Sequence, residues 1–127
     1  NKNILSFAMI ETKEAVENLD QILSVPGLTG VYIGPADMSS SYGLPPKFDV
    51  REDPVFSNIK LIAKKAKEYG KIAGIHNGST AYAKEMINLG YKFVTILSDF
   101  RVMSSNSQKI VDEMKDTKND GKEASTY

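Results

Sequence analysis

The chain has 127 residues, 41% hydrophobic and 25% charged, with sixteen basic and sixteen acidic side chains and no cysteine. That is the composition of an ordinary globular domain. A formal charge of zero and the lack of a basic patch with interleaved aromatics argue against nucleic acid or an anionic membrane as partner, and the absence of cysteine excludes disulfides and thiolate metal sites. No apolar run reaches the roughly 18 residues of a membrane span and no charged-then-apolar leader opens the chain, so a cytoplasmic protein is the expectation. The first residue is Asn1 rather than methionine, and a strand begins almost at once. Such a start reads as a piece of something longer, or as a processed product.

Residues 3–11 read as a strand, apolar almost throughout, as suits a parallel strand covered on both faces. Thr12 caps an expected helix running to about Ser24, with Glu14 and Glu17 near its positive end and Ala15, Val16, Leu19, Ile22 and Leu23 as one apolar stripe. Val25-Pro26-Gly27 stops it. A second strand, Gly30–Ile33, runs into Gly34-Pro35-Ala36-Asp37, and Ser39–Pro46 reads as a long loop rich in Ser, Gly and Pro. Asp53-Pro54 opens the next helix, with Asp as cap and Pro at the first helical position. Phe56, Ile59, Ile62, Ala63 and Ala66 mark its buried face, and Gly70 ends it. Lys71–His76 is a third strand and Asn77-Gly78 a turn. Ser79 or Thr80 caps a helix that ends at Gly90, and Phe93–Leu97 is the fourth strand. A last helix covers roughly Phe100–Lys115, with a break expected near Ser104–Ser107. Residues 116–127 form a polar tail in which Tyr127 is the one candidate anchor.

The order is β-α-β-α-β-α-β-α, which argues for an α/β fold of four parallel βα units with right-handed crossovers. Four such units over residues 1–115 are half of a TIM (β/α)8 barrel, whose usual length is about 250 residues. An open four-stranded sheet is the rival. A true half barrel leaves two apolar edges, at Ile4–Ile10 and Phe93–Leu97, and such edges pair with something or aggregate.

Glu11, Asp37, His76 and Asp99 all fall at or just after carboxyl ends of expected strands, the ends at which barrels gather their chemistry. Neighbouring strands lie about 4.8 Å apart, close enough for Glu11 and Asp37 to share one cation. Two carboxylates without Cys, and without a His pair, suit a hard ion such as Mg²⁺ or Mn²⁺ that keeps open positions for water or substrate oxygens. A bidentate 2-oxo acid would fill two of those positions, the ion acting as a Lewis acid. Each residue also has a plainer reading. Glu11 would serve as a helix-end acid, Asp37 as a turn cap, His76 as a hydrogen-bonded structural residue and Asp99 as the cap of the last helix. No Gly-x-Gly-x-x-Gly, P-loop or Ser-His-Asp spacing occurs.

Four segments favour the site reading over the plainer one: MIET (Met9–Thr12), LDQILSVPGLTGVYIGPADMS (Leu19–Ser39), AGIHNGS (Ala73–Ser79) and LGYKFVTILSD (Leu89–Asp99). In this order and spacing they resemble the carboxyl-terminal half of the HpcH/HpaI aldolases, the class II, metal-dependent pyruvate aldolases. The resemblance covers nearly the whole chain. It implies barrel strands five to eight and reversible cleavage of a 4-hydroxy-2-oxo acid to pyruvate, or a related 2-oxo acid, and an aldehyde. It makes Glu11 and Asp37 the ligands of a divalent metal, Mg²⁺ or Mn²⁺, with Co²⁺ and Zn²⁺ as the other candidates. The backbone N–H groups of Ala36 and Asp37 would hold substrate oxygens, with Gly34 and Pro35 shaping the approach and His76 lining the aldehyde pocket. The family also implies assembly through carboxyl-terminal helices, so Phe100–Lys115 would contact a neighbour.

The sequence departs from that pattern in two ways. Met9 stands where some members carry a substrate-contacting Gln. More seriously, the Arg that clamps the carboxylate and the His that acts as base come from the amino-terminal half of the family fold, whereas this chain has only Arg51 and Arg101, in other contexts, and no second His. The isolated chain is therefore expected to be inactive, and its expected partners are a small 2-oxo acid together with a second copy or a complementing amino-terminal half. The rival functions are a carbon–carbon lyase of the citrate lyase β-subunit and malyl-CoA lyase type, and a non-enzymatic half-barrel interaction module.

Overall fold

The computed structural model describes residues 3–120. Tyr127 and the rest of the expected tail beyond Asp120 lie outside the described residues. In chain order the elements are β1 (Phe7–Ile10), α1 (Lys13–Glu17), α2 (Leu19–Leu23), β2 (Gly30–Ile33), α3 (Pro35–Ser41), α4 (Val55–Glu68), β3 (Ile72–Asn77), α5 (Thr80–Asn88), β4 (Phe93–Ile96) and α6 (Asp99–Asp120). The chain divides after Ile96 into a unit that carries all the strands and a second unit containing α6.

The four strands form one sheet in the order β1-β2-β3-β4, and every neighbouring pair is parallel. This is the strand order of half a (β/α)8 barrel, with each crossover made by helices. The two faces differ. Val31, Ile33, Ala73 and Ile75 alternate onto the face covered by helices and are buried there with Leu19, Leu23, Ile59, Ile62, Ala66 and Met86. Full burial of each large apolar side chain is worth roughly 1.5–3 kcal/mol, so this layer holds the sheet to its helices. The opposite face carries Phe7, Tyr32, His76, Phe93 and Thr95. Across it the rings of Phe7 and Phe93, from the two outermost strands, approach to 5.2 Å between centroids.

Several boundaries differ from the sequence reading, each for a local reason. β1 begins at Phe7 because its ladder starts opposite Gly30, while Ser6 is tied to Thr29 by side-chain and backbone bonds. Ile4 and Leu5 precede the strand and are exposed. The helix expected over 12–24 is two short helices, parted where the Asn18 side chain donates to Glu14 O, a bond that competes with helical continuation. The segment after Asp37, expected as loop, is helical to Ser41; Pro35 opens that helix, and Ser39 and Ser40 bond back to the carbonyls of Pro35 and Ala36. Pro54 sits just before α4 rather than inside it, and Asp53 accepts from the Ser57 N–H. Ser79, not Thr80, caps α5. Gly70 and Gly90, both at positive φ, close α4 and α5. α6 is unbroken through Ser104–Ser107, where Ser105 and Asn106 turn their side chains onto Val102 O, and it continues past Lys115 to Asp120.

Ile75 sits at the centre of the covered face and is fully buried, whereas Leu61 on α4 is 40% exposed. Ile75→Ala is expected to cost about 2–5 kcal/mol and Leu61→Ala less than about 1 kcal/mol. Urea unfolding of the two variants checks this, and equal losses would contradict the assignment of the core to that face.

Candidate active site

The parallel register sets the site. Ile10, Ile33 and Ile75 are paired in one row, so the residues that follow them, Glu11, Gly34 and His76, stand side by side at the carboxyl ends of the strands. Thr12 caps α1 by accepting from the Ala15 N–H, and the Lys13 N–H donates to Ser41 Oγ at 2.8 Å, tying the Glu11 turn to the end of α3. Asp37 lies in the first turn of α3, held by buried Pro35, Met38 and Ser39. The first-turn N–H groups of Ala36 and Asp37 have no acceptor inside the helix.

Gly34 lies between the two carboxylates. A Cβ added there would sit 2.9 Å from Glu11 Oε2 and 3.6 Å from Asp37 Oδ2, so both acids converge on the space that glycine leaves open. Among the described residues no third His, Cys, Asp or Glu joins them in a ligand cluster. Two convergent carboxylate oxygens with the remaining positions open fit a hard divalent cation better than a soft one.

A second polar group occupies the same sheet face. Tyr32 reaches across β3 above Gly74, where a Cβ would meet the tyrosine ring at 2.7 Å, and its hydroxyl meets Thr95 Oγ1 at 2.5 Å. Thr95 Oγ1 is also 3.0 Å from His76 Nδ1. His76 and Thr95 are paired in register on β3 and β4. The edge of this pair is locked from behind by Asn77, fully buried, whose Nδ2 donates to Ile75 O and Thr95 O and whose Oδ1 has no hydrogen-bond partner among the described residues.

The loop between α3 and α4 folds over this end of the sheet. Asp49 accepts from the Gly78 N–H at 2.7 Å, and the Phe48 ring meets the His76 ring edge-on at 5.0 Å. The loop is fastened to α5 by Tyr82, which donates to Val50 O at 2.6 Å, and by Arg51, which donates twice to the Glu85 carboxylate at 3.1 and 2.7 Å. Burial pushes the Tyr82 hydroxyl well above its ordinary range, so it remains a donor. Arg51 thus has structural partners.

Of the residues expected from sequence, Glu11, Gly34, Pro35, Ala36, Asp37 and His76 lie at neighbouring strand ends. Asp99 belongs to the second unit, where it starts α6; its Oδ1 accepts from the Phe100 N–H at 2.7 Å, and Ser98 Oγ accepts from the Arg101 N–H. Tyr32, Thr95 and Phe48 were missed. For Tyr32 and Thr95 a signal existed: each breaks the apolar run of its strand with a hydroxyl, Tyr32 between buried Val31 and Ile33 and Thr95 between Val94 and Ile96. Phe48 had none, because only the folded loop brings it to His76. A cleft of about 520 Å³ lined by Lys60, Lys64, Lys67, Lys71 and Lys92 lies at the other end of β3 and contains none of these residues.

A family model described as HpcH/HpaI aldolase/citrate lyase matches residues 1–105. The chain belongs to this family. It is 37% identical over 111 residues to a hydroxypyruvate/pyruvate aldolase of Rhizorhabdus wittichii, covering 87% of this chain and 44% of that protein. It is 33% identical over 115 residues to a 5-keto-4-deoxy-D-glucarate aldolase of an Enterobacter species, covering 91% of this chain and 44% of the relative. An HpcH/HpaI aldolase/citrate lyase family protein from Burkholderia cenocepacia shares the fold, with a TM-score of 0.82 at 23% identity over 90% of this chain and 44% of that one. The chain thus spans about half the length of the HpcH/HpaI relatives it matches, in keeping with a half barrel.

The strap made by Arg51 and Glu85 has a pH signature. The Arg51 hydrogen bond lowers the Glu85 carboxyl below its ordinary value, so the pair's contribution is present above the unfolded-state pKa and is lost as pH falls through the lowered folded value. Glu85→Gln is expected to unfold at lower temperature than the parent near neutral pH, with the gap closing below about pH 4. Thermal unfolding of both proteins down to about pH 3 checks this, and a gap that persists unchanged would contradict it.

Proposed function

We propose that this chain supplies the metal-carboxylate half of a divalent-metal-dependent aldolase site, in an enzyme that cleaves a 4-hydroxy-2-oxo acid to pyruvate, or a related 2-oxo acid, and an aldehyde. The convergence of Glu11 Oε2 and Asp37 Oδ2 over Gly34 carries the reading. Glu11 and Asp37 would hold Mg²⁺ or Mn²⁺, which when bound supplies Lewis-acid stabilisation of negative charge on the 2-oxo acid. The chain's own groups do the rest of the holding. The Ala36 and Asp37 N–H groups at the start of α3 receive substrate oxygens, and Gly34 and Pro35 leave the approach clear. His76 and Phe48 bound the space toward β3. Both named relatives are aldolases, which supports aldol cleavage over lysis of a CoA thioester.

The apparatus is incomplete within this chain. Arg51 is engaged by Glu85 and Tyr82, and His76 is the single histidine. The carboxylate clamp and the base would come from a complementing amino-terminal barrel half. The sheet supports such a partner: Met9 on β1 is 50% exposed, and Phe93 and Ile96 on β4 are 45% and 42% exposed, on the two outermost strands, whose outer edges pair with no other strand among the described residues.

Mn²⁺ binding read by electron paramagnetic resonance is expected to weaken by about tenfold or more in Glu11→Gln, in Asp37→Asn, and in Gly34→Ala, whose methyl would displace the Glu11 carboxylate. Undiminished binding in all three would remove the proposed metal site. The 127-residue chain alone is expected to release negligible pyruvate from a 4-hydroxy-2-oxo acid and to sediment as more than a monomer. Robust turnover, or a well-behaved monomer, would overturn the need for a second half.

A further inference from the structure

The chain of Tyr32, Thr95 and His76 is not needed to hold a cation, yet it is built with evident constraint. Tyr32 can cross β3 only because residue 74 has no side chain: a Cβ there would lie 2.7 Å from the tyrosine ring and 3.1 Å from that of Phe93. Its hydroxyl then reaches Thr95 on the next strand, and Thr95 reaches His76 Nδ1 at 3.0 Å. The imidazole is held from its other side by the edge-on ring of Phe48, itself set by the Asp49 bond to Gly78 N–H. No hydrogen bond engages His76 Nε2 among the described residues.

Proton accounting along this chain gives it a direction. A phenol is a better donor than acceptor; with Tyr32 donating to Thr95, the threonine's single proton is directed to His76 Nδ1, and a neutral imidazole then carries its proton on Nε2. His76 stands beside Gly34 in the parallel register, one strand spacing of about 4.8 Å away. A ligand that extends from Gly34 over β3 would bring its far end beside this imidazole.

We propose that Tyr32 and Thr95 are positioning residues that fix the His76 imidazole as an Nε2–H donor, and that this donor binds a hydroxyl oxygen on the aldehyde fragment, selecting hydroxyaldehydes over alkyl aldehydes. The identity of the ligand rests on the aldolase reading above; the hydrogen-bond chain does not. A site built to pair a substrate hydroxyl discriminates against an analogue that lacks it, because its own polar group is left unpaired.

The test uses the protein assembled with both barrel halves. Long-range ¹H–¹⁵N NMR, with His76→Asn to assign the signal, is expected to show His76 protonated on Nε2 and not on Nδ1, and Thr95→Val to produce a tautomer mixture. In aldol addition of pyruvate, the preference for glycolaldehyde over the isosteric propionaldehyde is expected to fall about tenfold in Thr95→Val, mainly through KM, and to return in Thr95→Ser. Protonation of His76 on Nδ1 in the parent, or an unchanged aldehyde preference in Thr95→Val, overturns the proposal. Exchange of the methyl protons of pyruvate with solvent reports the 2-oxo acid half of the reaction separately. Its absence in the parent with Mn²⁺ present overturns the aldolase reading and with it the hydroxyaldehyde assignment, and the imidazole spectrum then still accepts or rejects the positioning of His76.

Discussion

A single row of parallel pairing governs this structure: Ile10 beside Ile33, Ile33 beside Ile75 and Ile75 beside Val94. The three isoleucines are fully buried. Because side chains alternate along a strand, a row locked into the helix layer forces the next row outward, and a slip of one residue would exchange the two. Glu11, Gly34, His76 and Thr95 make up that next row. The apolar core thereby dictates which polar groups can meet at the strand ends, before any of them contributes an interaction of its own.

On that face of the sheet the absence of side chains matters as much as their presence. Gly34 leaves the volume on which the Glu11 and Asp37 carboxylates converge, and Gly74 leaves the passage through which Tyr32 reaches Thr95. The two gaps divide the rim into an acidic end over β1 and β2 and a hydrogen-bonding end over β3 and β4. The loop carrying Phe48 and Asp49 closes over the second end, pinned to α5 by Arg51 and Tyr82. A carboxylate pair suited to a hard cation and a neighbouring neutral hydrogen-bond chain would serve different parts of one ligand. Half of a barrel can organise such a rim but cannot enclose it, and the apolar side chains exposed at Met9, Phe93 and Ile96 mark where enclosure would come from.

Much of this was legible in the residues. Apolar runs located all four strands, three of them with Gly or Pro at a boundary, and the alternation of strand and helix argued for parallel pairing; the Ile-Glu-Thr and Gly-Pro-Ala-Asp segments pointed to both carboxylates and to the family. Where the reading erred, local hydrogen bonding had outweighed composition. Serines after Asp37 looked like loop formers, yet with Pro35 at the helix start they satisfied carbonyls within α3. Asn18 looked helical and broke its helix instead. Both outcomes turn on which backbone group a short polar side chain happens to reach.

The sequence by itself determined the order of elements and placed Glu11 and Asp37 just after strand ends, since these follow from apolar runs and from residues adjacent in the chain. Tertiary structure alone decided that both carboxylates point into the space above Gly34, that Tyr32 passes over Gly74 to Thr95 and His76, and that Phe48 covers the imidazole. Those contacts join different strands and a distant loop. Their geometry depends on strand register and side-chain direction, which pairing across the sheet sets and which no local stretch of chain contains.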